Sequence, residues 1–262
     1  MDEVERENLT RIRRLNQRGG RMLSIVDLLG DGSVDSYLAG YLTYCMSRGW
    51  SFLTSAGPSG TGKTTLMGSM LNLLPVGMEI ETVENPESID PDSNGSTCYL
   101  VHEINNAPYY GYLWGLDARK FFLRAHNNCL AASLHADTLS EIEDKLLSPP
   151  VDLPPDFLAE IDLMLFMTRE RSSGGTKRRV SKVYGSNGSE HILLFEWRRG
   201  SDTFRDIDGL SFLRDRVGDS EASPVNEDGI RRIGELYLRM LENNINRLAE
   251  VRQALLDHSD WY

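Results

Sequence analysis

The chain has 262 residues and a formal net charge of −11, from 28 basic and 39 acidic side chains. That length buries a proper core in one domain, or in one domain with a small appendage, and the acidic balance disfavours general nucleic-acid binding through a basic surface. No apolar run reaches the ~18 residues expected of a membrane-spanning helix, and three cysteines without metal-ligand spacing argue against a disulfide or zinc scaffold.

The opening Met1-Asp2-Glu3-Val4-Glu5 does not have the charged, apolar and small-residue regions of a secretory signal. Cys45, Cys98 and Cys129 sit in apolar surroundings and read as buried thiols of a reducing compartment, so a cytoplasmic location is expected. Residues 3–18 read as a charged, solvated surface helix ended by Gly19-Gly20. From Ser24, the spacing of Ile25, Leu28 and Leu29 gives a short amphipathic turn, broken by Gly30-Asp31-Gly32. Ser33-Val34-Asp35 then opens a helix with Tyr37, Leu38, Tyr41, Leu42 and Cys45 inward.

Residues 50–56 read as the first core strand, and residues 63–74 as a helix closed by Pro75. Between them, Gly57-Pro58-Ser59-Gly60-Thr61-Gly62-Lys63-Thr64 satisfies the phosphate-loop pattern G-x-x-x-x-G-K-S/T at every fixed position. The glycines let consecutive N–H groups turn inward, Lys63 reaches the β- and γ-phosphates, and the Thr64 hydroxyl is offered to Mg²⁺. Gly57, Ser59, Gly60, Thr61, Gly62, Lys63, Thr64 and Thr65 are the expected nucleotide-binding residues. Further apolar runs at 80–83, 98–101, 129–134 and 161–167, several separated by helical patterns, predict an α/β domain on a mainly parallel sheet. Ligands of such sheets gather at the carboxyl ends of the strands, where the phosphate loop lies and where the run 97–101 leads into His102-Glu103. Glu103 is thereby placed as a carboxylate beside the metal.

Thr138-Leu139-Ser140-Glu141 reads as a capping box. Residues 179–184 and 191–197, joined by Gly185-Ser186-Asn187-Gly188, predict a β-hairpin beside the core. After a polar, turn-rich stretch, Ile230, Ile233, Tyr237, Met240, Leu241, Ile245, Leu248, Val251 and Leu255 trace a helical stripe expected to pack on its own domain.

The order of these pieces resembles the ATPase family of type II secretion, type IV pili, archaella and type IV secretion. Leu23-Ser24-Ile25-Val26-Asp27-Leu28-Leu29 looks like the family's lead-in to its phosphate loop. Glu81-Thr82-Val83-Glu84-Asn85-Pro86 resembles its Asp box, T-I-E-D-P, with Glu84 on the glutamate and Asn85 replacing the aspartate. His102-Glu103-Ile104 resembles its Walker B segment, and Ala132-Ser133-Leu134-His135-Ala136-Asp137-Thr138 its His box. The resemblance covers residues 23–205. It implies a P-loop NTPase of RecA-like fold, preceded by a helical extension at 1–22 and followed by a linker and C-terminal helix at 206–262.

By the same resemblance the cofactors are ATP and Mg²⁺, and the assembly is a hexameric ring at the cytoplasmic face of a membrane secretion or pilus platform. Lys63, Glu84, Glu103 and His135 are the catalytic set that it implies. In that set Glu84 orients water, Thr64 and Glu103 serve the metal, and His135 senses the γ-phosphate. The chain departs from the family where Asn105-Asn106-Ala107-Pro108 replaces an arginine and a second glutamate, where only residues 87–97 separate the Asp box from Walker B, and where Asn127-Asn128 stands for Gly-His. Two functions follow: an ATPase that drives a membrane machine, and a catalytically weakened nucleotide-binding subunit of the same fold. Arg119, Arg124, Arg178 and Arg179 are candidates to act in a neighbour's site within a ring. The chain has no N-K-x-D base-reading motif after the loop, which disfavours a GTPase.

Overall fold

The computed structural model describes all residues except 17–18, 58–59, 91–94, 173–174, 219–226 and 259–262. Helix α1 (Glu3–Arg14) starts at Asp2, whose carboxylate accepts from the Glu5 amide at 3.0 Å. It is not the solvated helix that its charges suggest. Leu9 and Ile12 are buried, and the Asn8 side chain bridges the Met78 carbonyl and the Ile80 amide, each at 2.8 Å. Ser24 and Asp27 form a reciprocal capping box for α2 (Ile25–Gly30), and Asp35 caps α3 (Ser36–Met46).

Strand β1 (Phe52–Ser55) is followed by the glycine-rich loop and α4 (Lys63–Leu71). Then come β2 (Glu79–Thr82), β3 (Thr97–Val101), the short pair β4 (Glu103–Ile104) and β5 (Tyr112–Leu113), α5 (Leu116–Arg124) and β6 (Cys129–Leu134). Helices α6 (Leu139–Leu147) and α7 (Pro155–Ala159) lead to β7 (Leu163–Ser172), β8 (Gly175–Ser186), β9 (His191–Arg198) and β10 (Thr203–Asp206). The chain continues through α8 (Gly209–Val217), α9 (Glu227–Glu242) and α10 (Leu248–Asp257).

Among the described residues the main sheet has the order β10-β9-β8-β7-β1-β6-β3-β2, parallel from β2 to β7 and antiparallel beyond. The expected hairpin forms, and it joins the main sheet, with Val180, Val183, Leu194 and Phe195 in the core. Strand β8 pairs with β7, so β8 and β9 extend the same sheet. Strand residues alternate between two cores, as a period of two requires of strands covered on both faces. Phe52, Cys98, Leu100, Cys129 and Ala131 pack towards α1–α4, α9 and α10. Leu53, Tyr99, Val101, Leu130 and Ala132 pack towards α5–α7. The result is a three-layered α/β fold with both sheet faces covered.

The C-terminal stripe does pack on its own chain, but as two helices. Ile230, Ile233, Tyr237 and Met240 are buried on α9, and Leu248, Val251 and Leu255 on α10, whereas Ile245 in the break is 38% exposed. All three cysteines are free and buried. The capping box before α6 is half formed: Thr138 accepts from the Glu141 amide at 3.2 Å, while the Glu141 carboxylate takes the Asp137 amide at 2.8 Å.

Candidate functional site

Strand order determines which side chains meet at the carboxyl edge of the sheet. Leu134, at the end of β6, is level with Ser55, at the end of β1, so His135 stands beside Ala56. On the other side of β6, Val101 of β3 is level with Ala132, and Glu103 follows two residues later. The glycine-rich loop before α4, Glu103 and His135 are thus neighbours although they are far apart in the chain.

Two glycines shape the loop. A Cβ on Gly57 would lie 2.0 Å from the Asp137 carboxylate, which accepts from the Gly57 amide at 2.7 Å. Gly62 adopts φ +107° at the N-cap of α4 and contributes no capping side chain. The first-turn amides of α4 are therefore not capped by that position, and with the helix dipole they favour an anion at this end. Pro58 and Ser59, including the expected ligand Ser59, lie outside the described residues.

Lys63, only 6% exposed, points back into the site. Its Nζ lies 2.9 Å from His135 Nδ1, and His135 Nε2 lies 3.0 Å from Glu103 Oε1. Burial lowers the Lys63 ammonium to about 8, against the opposing pull of the Glu103 carboxylate. Glu103 also accepts from the Asn105 amide and the Tyr112 hydroxyl, each at a long 3.4 Å. The Gly57 carbonyl is 2.8 Å from the same His135 Nδ1. Nδ1 can accept from Lys63 or donate to that carbonyl, but not both, so the chain Lys63–His135–Glu103 leaves one partner unserved.

These groups open on a cleft of about 700 Å³. The volume is within the ~300–1,000 Å³ range of ligand pockets. Gly60 to Thr65 form one wall with Glu103 and His135, and Leu15, Leu23 and Leu28 from the N-terminal segments give an apolar stretch elsewhere in the lining. Most of the expected site residues are gathered here, with Gly57 held at the margin by Asp137.

Glu84 is not gathered in. It is exposed beyond the end of β2 and does not line the cleft. Strand β2 lies three positions from β1, roughly 14 Å at ~4.8 Å per strand.

The arginines divide sharply. Arg119 pairs with Asp152, Arg124 with Glu87 and Arg179 with Asp202, each at 2.8–2.9 Å. Arg178, from β8, lines the cleft of its own chain and donates from Nε to the Gly60 carbonyl at 3.2 Å. Arg169, its register partner on β7, reaches within 3.0 Å of where a Gly60 Cβ would stand.

Sequence reasoning did not single out Asp137, which lies within the quoted His-box segment, or the in-chain place of Arg178. It also passed over His102. That residue is at the cleft at 5% exposure, and among the described residues neither of its buried ring nitrogens has a hydrogen-bond partner. Burial lowers its pKa to about 4, so the ring is neutral at pH 7. An unsatisfied buried polar group costs about 1–3 kcal/mol, which makes this ring an anomaly for a purely structural residue.

No protein-family model matches the chain. The uncharacterized protein MJ1287 of Methanocaldococcus jannaschii is 25% identical over a 234-residue alignment that covers 77% of this chain and 86% of that protein. Among solved structures, the VirB11 ATPase of the Brucella suis type IV secretion system, in complex with sulphate, gives a TM-score of 0.39 at 18% identity. That match covers 62% of this chain and 54% of VirB11. The Legionella pneumophila ATPase DotB gives 0.31 at 9% identity, over 86% of this chain and 59% of DotB. The matched regions span less than two thirds of either solved chain, and likeness at these scores carries no functional argument.

Proposed function

We propose that this protein binds Mg·ATP in the cleft at the carboxyl edge of its sheet and acts as an ATPase of the secretion and pilus type. The observation that carries this reading is the convergence of Lys63, His135 and Glu103 on the uncapped N-terminus of α4. A cation, an imidazole ring and a carboxylate meet where phosphate would sit.

The residues present fit a divalent cation that arrives with the phosphates. Thr64 and Glu103 line the same cleft, and no group of three or more His, Cys, Asp or Glu among the described residues could hold a metal ion alone. Thr64 and Glu103 would hold that cation, which supplies charge neutralisation at the β- and γ-phosphates. In the mechanism, Lys63 exchanges His135 for a phosphate oxygen. His135 is then released from Lys63 with its Nε2 proton held by Glu103, and it can donate from Nδ1, to the Gly57 carbonyl or to the γ-phosphate, only when it takes up a second proton as the imidazolium. Arg178 adds positive charge from the same chain. The same reading assigns residues 23–205 to the ATPase domain, within a cytoplasmic hexameric ring docked on a membrane platform. No helix among the described residues is long and apolar enough to cross a membrane.

One observation favours the second reading, a catalytically weakened nucleotide-binding subunit. Glu84, the residue proposed to orient water, is exposed outside the cleft, and Asn105 and Asn106 stand where further chemistry is expected. Mg·ATP binding and steady-state phosphate release, compared for the native protein and Lys63→Ala, separate the two. Release that depends on Lys63 supports the ATPase, and tight binding without such release leaves the weakened subunit. Absence of binding removes both.

A further inference from the structure

Two arginines stand directly opposite each other in the sheet. Arg169 of β7 is the register partner of Arg178 of β8, and residues so paired across antiparallel strands share a face. Met167 and Val180, two positions along each strand, put that face on the side of the core that α1–α4 cover. Like charges placed in this way destabilise a strand pair. Their neighbours are neutralised: Glu170 pairs with Arg199 at 2.5 Å, and Lys177 and Arg179 each pair with Asp202 at 2.8 Å. Among the described residues neither Arg169 nor Arg178 has a carboxylate partner. Both reach the glycine-rich loop instead, Arg178 through its Nε bond of 3.2 Å to the Gly60 carbonyl and Arg169 through Nη1, 3.0 Å from where a Gly60 Cβ would stand.

The backbone that carries Arg178 is fixed in place. Its carbonyl accepts from Ser33 Oγ at 3.0 Å and from Arg179 Nη1 at 2.9 Å, and the Val180 amide donates to the Ser33 carbonyl at 2.9 Å. The strand order then sets what the pair faces. Strands β7 and β6 flank β1 on opposite sides, so the arginines come to the loop from one side while His135 and Glu103 come from the other, and Arg178, His135 and Glu103 line one cleft. An anion between two guanidiniums removes their opposition and accepts a fork of N–H groups from each. We propose that Arg169 and Arg178 clamp the phosphates of the nucleotide from the β7–β8 side, so that this site draws its arginines from its own chain and not from a neighbour in a ring. The inference rests on the nucleotide reading above and deepens it to the source of the positive charge.

The test uses the full chain with Mg²⁺ and β,γ-methylene ATP. Calorimetry should show affinity falling about tenfold in Arg169→Gln and less in Arg169→Lys, which keeps the charge but not the fork. Without nucleotide, the thermal midpoint of Arg169→Gln should rise, because the like-charge opposition is relieved. Unchanged affinity in Arg169→Gln overturns the inference, and so does a midpoint that falls with the affinity, which would make Arg169 a brace for the loop. Co-expression of Lys63→Met with the double variant Arg169→Gln/Arg178→Gln reads where the arginines come from. No sites of native affinity are expected in the mixture, and their appearance would show that a neighbour supplies the arginines and overturn the inference. Each of these outcomes leaves the nucleotide reading standing, whereas failure of the native protein to bind the analogue removes both.

Discussion

Two ion networks in this molecule use the same side-chain types to opposite ends. Where the chain termini meet, Arg252 of α10 grips Glu5 of α1 through two bonds of 2.6 Å, with both side chains no more than 5% exposed. Its remaining donors go to the Asn72, Leu74 and Pro75 carbonyls just past the end of α4. At the opposite end of α4, Lys63, His135 and Glu103 form an open network in which Lys63 and the Ala56 and Gly57 carbonyls compete for one ring nitrogen, and the His102 ring has no partner among the described residues. The closed network is satisfied within the protein, and its role is to hold the fold. In the open one the shortfall faces a cleft, and a ligand that brings phosphate oxygens and a cation would complete it.

The comparison breaks most visibly at Arg252. Arg252→Met should destabilise the fold by about 3–5 kcal/mol in urea denaturation, because it leaves a buried Glu5 unpaired. The double variant Glu5→Leu with Arg252→Met should recover most of that loss, whereas no recovery would mean that the carbonyl contacts, not the charge pair, hold the seam. Lys63→Met should do the reverse. Calorimetry should show ATP affinity falling roughly 100-fold, about 2.7 kcal/mol, while stability holds or rises, since burial already penalises the ammonium. A fall in stability comparable to that of Arg252→Met would place Lys63 in the structural class.

Arg178→Ala tests whether the open network extends to β8. About a tenfold loss of ATP affinity is expected, with a smaller loss for Arg178→Lys, which keeps the charge. The smallest effect belongs to the sheet edge: Glu84→Gln should change nucleotide affinity by less than about twofold. A larger change would show that the β2 edge reaches the phosphates after all, and a selective fall in phosphate release would return Glu84 to the chemistry.

Legibility followed the range of the interactions. The phosphate-loop pattern is visible in the sequence because its fixed positions lie within eight consecutive residues, and the strands could be read because two-sided burial writes continuous apolar runs. Helix α1 was misread for the converse reason. Its buried face uses Asn8 and Glu5, polar residues whose partners lie 70 and 247 positions away, so the local pattern contains nothing to pair with them. The hairpin at 179–197 was visible as a hairpin, but whether it joins the sheet depends on a vacant edge of β7 that composition does not record. Arg178 and Arg179 are adjacent and alike in sequence, yet one lines the cleft and the other is buried on Asp202. Alternation along β8 separates them, and only the neighbouring loops decide which direction is functional.

By itself the sequence determined an α/β chain with a glycine-rich loop of the phosphate-loop pattern between β1 and α4, because turn glycines, a lysine at fixed spacing and apolar periodicity are local properties. Tertiary structure decided the membership of the site. The strand order brings His135 and Glu103 to Lys63 and leaves Glu84 outside the cleft, and packing around Gly111 turns His102 into a buried ring with no partner among the described residues. Hydrogen-bond satisfaction is a property of assembled neighbours, so no reading of residues along the chain could have found the imidazole that the fold leaves unpaired.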